Sequence, residues 1–293
     1  MLKETKENQE QAKNAIEIRN LSKHYDDFAL QIEALDIPQG CIMGLVGSNG
    51  AGKSTMIKAI LDLIRTDSGE ITIDGESNRQ TRVREEIGVV FDEIKFPPLF
   101  TAKDVRTVLK GVYRNWDNAL YAHYTGLFKL PDGKKIKEFS RGMKMKLSLA
   151  AALAHHPKLL ILDEATSGID PVVRDEILDI FLEFIQDEEH TILASSHIIS
   201  DIEKAADYVT FIHNGKIIFC EDKDSLMEEY RLVKCGKEEL DTVDKNKIAG
   251  IRTNAFGAEL LMRTEDVPTG FVNIKAGIED IMLMMIKNEG VSA

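Results

Sequence analysis

Cysteine is scarce in this 293-residue chain. Three are present, Cys41, Cys220 and Cys235, an odd number standing far apart with no C-x-x-C pair. Neither a disulfide scaffold nor a zinc cluster can be built from them, so the thiols read as buried or incidental groups of a reducing compartment. Long apolar runs are missing too: no stretch approaches the roughly 18 residues that a membrane-spanning helix needs. The opening MLKETKENQEQAKN has no apolar core of the kind a signal peptide carries, and 1–15 reads as a polar tail. Positive charge falls short of negative, 37 Lys and Arg against 49 Asp and Glu, for a formal net charge of -12. Nucleic-acid backbones attract positive surfaces, so no nucleic-acid partner is expected. No long repeat or low-complexity segment is evident. The expectation is a globular chain in the cytoplasm that serves a membrane only through a partner.

What the chain does have is a rhythm. From Ile16, AIEIRNLS and FALQIEALDI alternate apolar and polar residues, as half-buried strands do. GCIMGLVG is short and wholly apolar, which suits a strand buried on both faces. KSTMIKAILDLI then has helical spacing, with Met56, Ile57, Ile60, Leu61 and Ile64 on one side. Further strands are predicted at GEITIDG, IGVVF, KLLILD, TILASS and VTFIHNGKIIFC, and helices at VVRDEILDIFLEFIQ and IISDIEKAAD. Buried strands alternating with helices predict an α/β fold with a mainly parallel sheet and some antiparallel strands near the start. Residues from about 93 to 155 break the rhythm with helical patterns, an inserted helical subdomain within a domain spanning 16–222. From about 223 to 293 the composition changes again, toward a small α+β accessory region. Its last helix carries Ile278, Ile281, Met282, Met285 and Ile286 as one stripe, which reads as core packing.

Four stretches carry chemistry. GSNGAGKST places Gly47, Ser48, Asn49, Gly50, Ala51, Gly52, Lys53, Ser54 and Thr55 between a buried strand and a helix, in the order G-x-x-x-x-G-K-[ST]. Its glycines let backbone N–H groups curl round a phosphate, Lys53 can reach the β- and γ-phosphates, and the Ser54 hydroxyl can ligate Mg2+. In KLLILDEATSGID, four apolar residues deliver Asp163 to a strand end, where a carboxylate can hold Mg2+. Glu164 comes next and can orient or deprotonate an attacking water. TILASSH sends another strand toward the same edge and ends at His197, a candidate γ-phosphate contact. In KEFSRGMKMKLSLAAALA, Ser140 can cap a helix with Met143, Leu147, Ala150 and Ala154 along one side. Lys134, Lys135, Lys137, Arg141, Lys144 and Lys146 surround that helix start, making it a candidate anion site. Together these features indicate binding and hydrolysis of a nucleoside triphosphate.

Phosphate loop, helical insertion, Ser-x-Gly helix start, Asp-Glu, Ser-Gly-x-Asp and His follow one another in that order. The series resembles the ATP-binding cassette (ABC) ATPases, which share a P-loop NTPase core, over about residues 16 to 222. The resemblance implies ATP and Mg2+ as ligands. It also implies that Ser140 and Gly142 cap the γ-phosphate held by a second ABC ATPase subunit, identical or not, docked head to tail. Positive potential supplied in this way follows the logic of an arginine finger, worth about 10³–10⁵ in rate. By the same match Tyr25 stacks on adenine and Asp170 links the two sites. Arg141 and Met143 stand where the family's signature has glycine and glutamine. Asp92 stands where it usually has a glutamine that touches Mg2+; a carboxylate can approach the ion but cannot donate a hydrogen bond.

Among such proteins the chain looks like the ATP-binding subunit of a bacterial transporter from the branch that exports peptides, antibiotics or lipids. The resemblance then implies a separately encoded membrane permease and a place on the inner face of the cell membrane. Phe96, Leu99 and Phe100 in the apolar loop IKFPPLF are candidates for the groove that receives it. The alternative is a soluble ABC ATPase acting on ribosomes, nucleic acid or metal-cluster assembly.

Overall fold

In the computed structural model, residues 13–253 and 257–289 are described; residues 1–12 of the expected tail lie outside them. β1 (Asn14–Tyr25) and β2 (Phe28–Pro38) form an antiparallel hairpin with Tyr25 opposite Phe28. Period-two alternation gives it one buried face, carrying Ile16, Ile18, Leu30 and Ile32. β3 (Ile42–Val46) is buried at all five positions, as its unbroken apolar run predicts. The phosphate loop leads into α1 (Lys53–Ile60). The apolar spacing predicted a helix reaching Ile64, but Leu61 caps α1 and Asp62 adopts a left-handed φ of 53°, which ends the helical path.

β4 (Ser68–Ile73) and β5 (Glu76–Ser77) complete a four-stranded antiparallel sheet in the order β2-β1-β4-β5. The short α2 (Thr81–Glu85) leads to β6 (Ile87–Phe91). Three α-helices then follow without a strand: α3 (Ala102–Lys110), α4 (Asn118–Leu127) and α5 (Arg141–Leu153). Leu147, Ala150 and Ala154 are buried along α5 and Met143 is half-buried, so that apolar stripe faces inward. β7 (Leu159–Asp163), α6 (Pro171–Phe184), β8 (Thr191–Ser196), α7 (Ile199–Ala205), β9 (Tyr208–His213) and β10 (Lys216–Asp222) restore the alternation.

The six-stranded sheet runs β10-β9-β3-β8-β7-β6 and is parallel except for the edge strand β10. Its register positions the site. Val46 lies opposite Ser196, Ser195 opposite Asp163, and Asp163 opposite Phe91, so four strands end side by side. Every loop leaving those ends opens on one edge, where parallel sheets place their ligands.

Beyond β10, α8 (Lys223–Glu229), β11 (Tyr230–Cys235), α9 (Lys237–Leu240), β12 (Ile248–Thr253), β13 (Ala258–Arg263), β14 (Val272–Lys275) and α10 (Ile278–Glu289) follow. The four strands make an antiparallel sheet ordered β12-β13-β11-β14. α10 is buried at Ile278, Ile281, Met282 and Met284. Met284 takes the inward place expected of Met285, and Met285 and Ile286 are only half-buried. Two clusters share the helix. Ile281 and Met284 pack with Leu232 and Leu261 of the last sheet. Ile278 and Met282 join the cluster holding Ile42, Ile202 and Phe211.

Candidate active site

The loop between β3 and α1 takes its shape from backbone that only glycine accommodates well. Gly52 has a φ of 116°, and a Cβ at Gly47 would sit 2.4 Å from the Ile212 carbonyl oxygen. The Lys53 ammonium folds back into this loop. It donates to the carbonyls of Gly47 at 2.7 Å and Ser48 at 3.3 Å, and lies 3.3 Å from a Glu164 carboxylate oxygen. Asp163, buried at the end of β7, accepts from the Ser54 hydroxyl at 3.1 Å and the Ser195 hydroxyl at 2.8 Å.

Ser195 also accepts from the Glu164 N–H at 3.0 Å, and its carbonyl accepts from the same N–H at 3.2 Å. These bonds hold Glu164 at a φ of 54°, an uncommon state for a residue with a side chain. The turn aims the Glu164 carboxylate across the loop mouth, where it meets Lys53 on one side and His197 Nδ1 on the other. His197 is the residue after β8 and is 46% exposed. Sequence reasoning missed Ser195, a small residue inside an apolar strand, whose only signal was a hydroxyl next to the strand end.

These groups border an open cleft of about 840 Å³. Tyr25, 48% exposed, stands on one wall with its ring centroid 6.4 Å from that of Phe28. Ser48, Asn49, Gly50, Gly52, Lys53, Ser54 and Thr55 form the floor with Glu164, while Gly47, Ala51 and Asp163 are buried beneath it. Asp92 and His197 border the far side. Ser140, Gly142 and Asp170 do not line the cleft. The Ser140 hydroxyl caps α5 by accepting from the Met143 N–H at 3.2 Å, as its position predicts. Gly142 faces Val173 of α6, and Asp170 caps α6 by accepting from the Val172 N–H at 2.9 Å.

Arg141, between Ser140 and Gly142, does line this chain's own cleft. Its guanidinium lies over Gly168, where a Cβ would sit 3.0 Å from Nη1. Phe28 and Arg141 were not read as part of the cleft from sequence, because only the fold brings them there. Lys146 leaves the basic face expected around Ser140: it pairs with Glu176 of α6 and lies over the Phe128 ring.

Backbone amides at a helix start, an ammonium group and an aromatic wall fit a nucleoside triphosphate. Ser54 and Asp163 offer adjacent oxygen donors near the loop, the kind a hard divalent cation takes, and the Asp92 carboxylate borders the same cleft. Fold and site together define a P-loop nucleoside triphosphatase. A family model described as ABC transporter matches residues 30–167. The chain is 35% identical over 217 residues to the ABC transporter ATP-binding protein YtrB of Bacillus subtilis (strain 168), covering 73% of this chain and 74% of that one. It is 37% identical over 240 residues to the lantibiotic transport ATP-binding protein SrtF of Streptococcus pyogenes, covering 80% and 97%. Among solved structures, cbiO1 from Clostridium perfringens, part of the ABC transporter complex cbiONQ, superposes with a TM-score of 0.63 at 25% identity, covering 74% and 92%. The chain belongs to the ATP-binding subunits of ABC transporters. It is an ATPase.

Proposed function

We propose that this subunit works as a head-to-tail dimer that drives a separately encoded permease of the exporter type. Tyr25 stacks on adenine, and Gly47 through Thr55 wrap the phosphates with Lys53 against the β- and γ-groups. Ser54 and Asp163, with Asp92 beside them, would hold Mg2+, which supplies charge neutralisation on the phosphates. Glu164 orients and deprotonates the attacking water, and His197 holds Glu164 while contacting the γ-phosphate. Ser140 and Gly142 act on the nucleotide of the partner subunit, and Asp170 lies in the loop between the two sites. One observation carries the hydrolytic reading: the Glu164 carboxylate spans Lys53 and His197 at the cleft.

The domain reading that goes with this keeps 16–222 as the ATPase domain, about 93–155 as its helical subdomain and 223–293 as an accessory region. Two observations support docking at the helical subdomain. Leu99 is 62% exposed between the half-buried Phe96 and Phe100, and a groove of about 450 Å³ opens beside Ile94, Phe96 and Met145. No helix among the described residues is long and apolar enough to cross a membrane, so contact with one would come through the permease. The relative named for lantibiotic transport supports a peptide or antibiotic cargo. Purifying the tagged chain from detergent-solubilised cells of its host tests the proposal. A stoichiometric polytopic membrane protein is the expected partner; ribosomes or soluble assembly factors in its place would overturn the transporter partnership.

A further inference from the structure

Asp201 is a buried carboxylate with no part in the chemistry above. It lies on α7, four residues past His197, and is 6% exposed. One oxygen accepts from the Thr166 hydroxyl at 2.7 Å; the other is 3.6 Å from the Arg174 guanidinium. Thr166 is also 6% exposed and stands two residues past Glu164. Arg174 lies on α6, four residues past Asp170, and its Nε is buried without a hydrogen-bond partner. The three segments leaving Glu164, Asp170 and His197 therefore meet on a single carboxylate.

Stability alone is a poor reason to keep such a group. Desolvating a carboxylate and a guanidinium can cost more than their attraction returns, and packed apolar side chains in their place are often as stable or more so. What an ion pair adds is directionality: it holds parts in one relative position, and a neutral apolar contact does not. Here the parts are the turn that aims Glu164 and the helix that follows His197. We infer that Asp201 is a positioning residue for ATP hydrolysis, fixing the Glu164 turn against the His197 helix through Thr166, with Arg174 holding it from α6. The inference rests on the roles proposed above for Glu164 and His197. Small displacements are costly in such a site: a reacting group about 1 Å out of place loses on the order of 10²-fold in rate.

The test compares purified full-length wild type with Glu164→Gln, Thr166→Val, Thr166→Ser and Asp201→Asn. Three quantities are measured for each: steady-state kcat and KM for ATP, equilibrium binding of a fluorescent ATP analogue, and melting temperature. Thr166→Val keeps the side chain's shape and removes the donor. It is expected to lower kcat by about tenfold or more while analogue binding holds, with some fall in melting temperature because a buried carboxylate loses its donor. Thr166→Ser restores the hydroxyl and should recover most of the rate. Asp201→Asn should slow turnover in the same way, and the Thr166→Val/Asp201→Asn double variant should be no slower than the slower single. If Asp201→Asn does not fold, the Val and Ser pair decides alone. Wild-type turnover in Thr166→Val overturns the inference. So does a parallel loss of kcat, analogue binding and melting temperature, which marks a plain structural staple. Full turnover in Glu164→Gln would instead sink the site assignment itself, a separate failure.

Discussion

At the residue scale, Glu164 is where the contacts of the cleft converge, with Lys53 on one side and His197 on the other. Its left-handed backbone is the kind of local strain that persists where surrounding bonds enforce it, and here both acceptors belong to Ser195. Glu164→Gln keeps the shape of the side chain but removes the base. We predict a loss of turnover of about 10²–10⁴-fold with ATP binding retained, read by phosphate release beside equilibrium nucleotide binding. Near-normal hydrolysis in that variant would take Glu164 out of its role. Residues of this kind were legible because a fixed spacing, G-x-x-x-x-G-K-[ST] or Asp-Glu after an apolar strand, carries its own mechanism. Ser195, Phe28 and Arg141 carry no such spacing. They reach the cleft through strand pairing, a hairpin and the packing of the helical segment, which are tertiary facts. Cys41 and Cys235 are buried, Cys220 is half-buried, and burial pushes the Cys41 thiol up to about 12.

At the element scale, the buried strands of the central sheet were the clearest features, because an unbroken apolar run flanked by turn residues leaves few alternatives. Short helices were the least clear. α2 and α9, five and four residues long, are too brief to display a helical period. The early end of α1 was hidden because Leu61 and Ile64 continue the apolar spacing after the helix has stopped. Helix starts are different, since their caps are local chemistry. Thr101 and Asp104 form a reciprocal capping box on α3: the threonine hydroxyl accepts from the Asp104 N–H, and the Asp104 carboxylate accepts from the Thr101 N–H. The Thr101 N–H, and then the Thr101 hydroxyl, which donates to the same carboxylate at 2.8 Å, hold the Asp104 carboxyl below its usual range. Thr101→Ala should lower stability by about 1 kcal/mol in urea denaturation and leave nucleotide affinity unchanged. Because the Asp104 pKa is depressed, its part of the cap is present above the ordinary carboxylate range and is lost as pH falls through the depressed value. A Thr101→Ala protein as stable as wild type at neutral pH would show that the cap contributes nothing.

At the scale of the whole molecule, the head-to-tail proposal separates residues that are close in sequence function but not in one cleft. Ser140 and Gly142 are absent from the lining of the chain's own cleft, which Lys53 does line. Mixing Ser140→Ala chains with Lys53→Ala chains should therefore restore ATPase activity that neither variant has alone, because one of the two composite sites in the mixed dimer is intact. No recovery on mixing, while wild type remains active, would place both residues in one site. The composite site is what the family resemblance implies; which surface meets the partner is a property of assembled coordinates and leaves no local pattern in the chain.

The placement of α10 bears on how the protein is made. Ile278 and Met282 follow every nucleotide-site motif in sequence, yet they seal the same buried cluster as Ile42, Val46 and Phe211. A ribosome that has translated the phosphate loop, Asp163, Glu164 and His197 has still not produced two of the side chains that close the buried core beneath them. That core is completed only once the segment holding α10 has cleared the exit tunnel. Until then, the nascent ATPase has its reactive groups in sequence but not its finished interior.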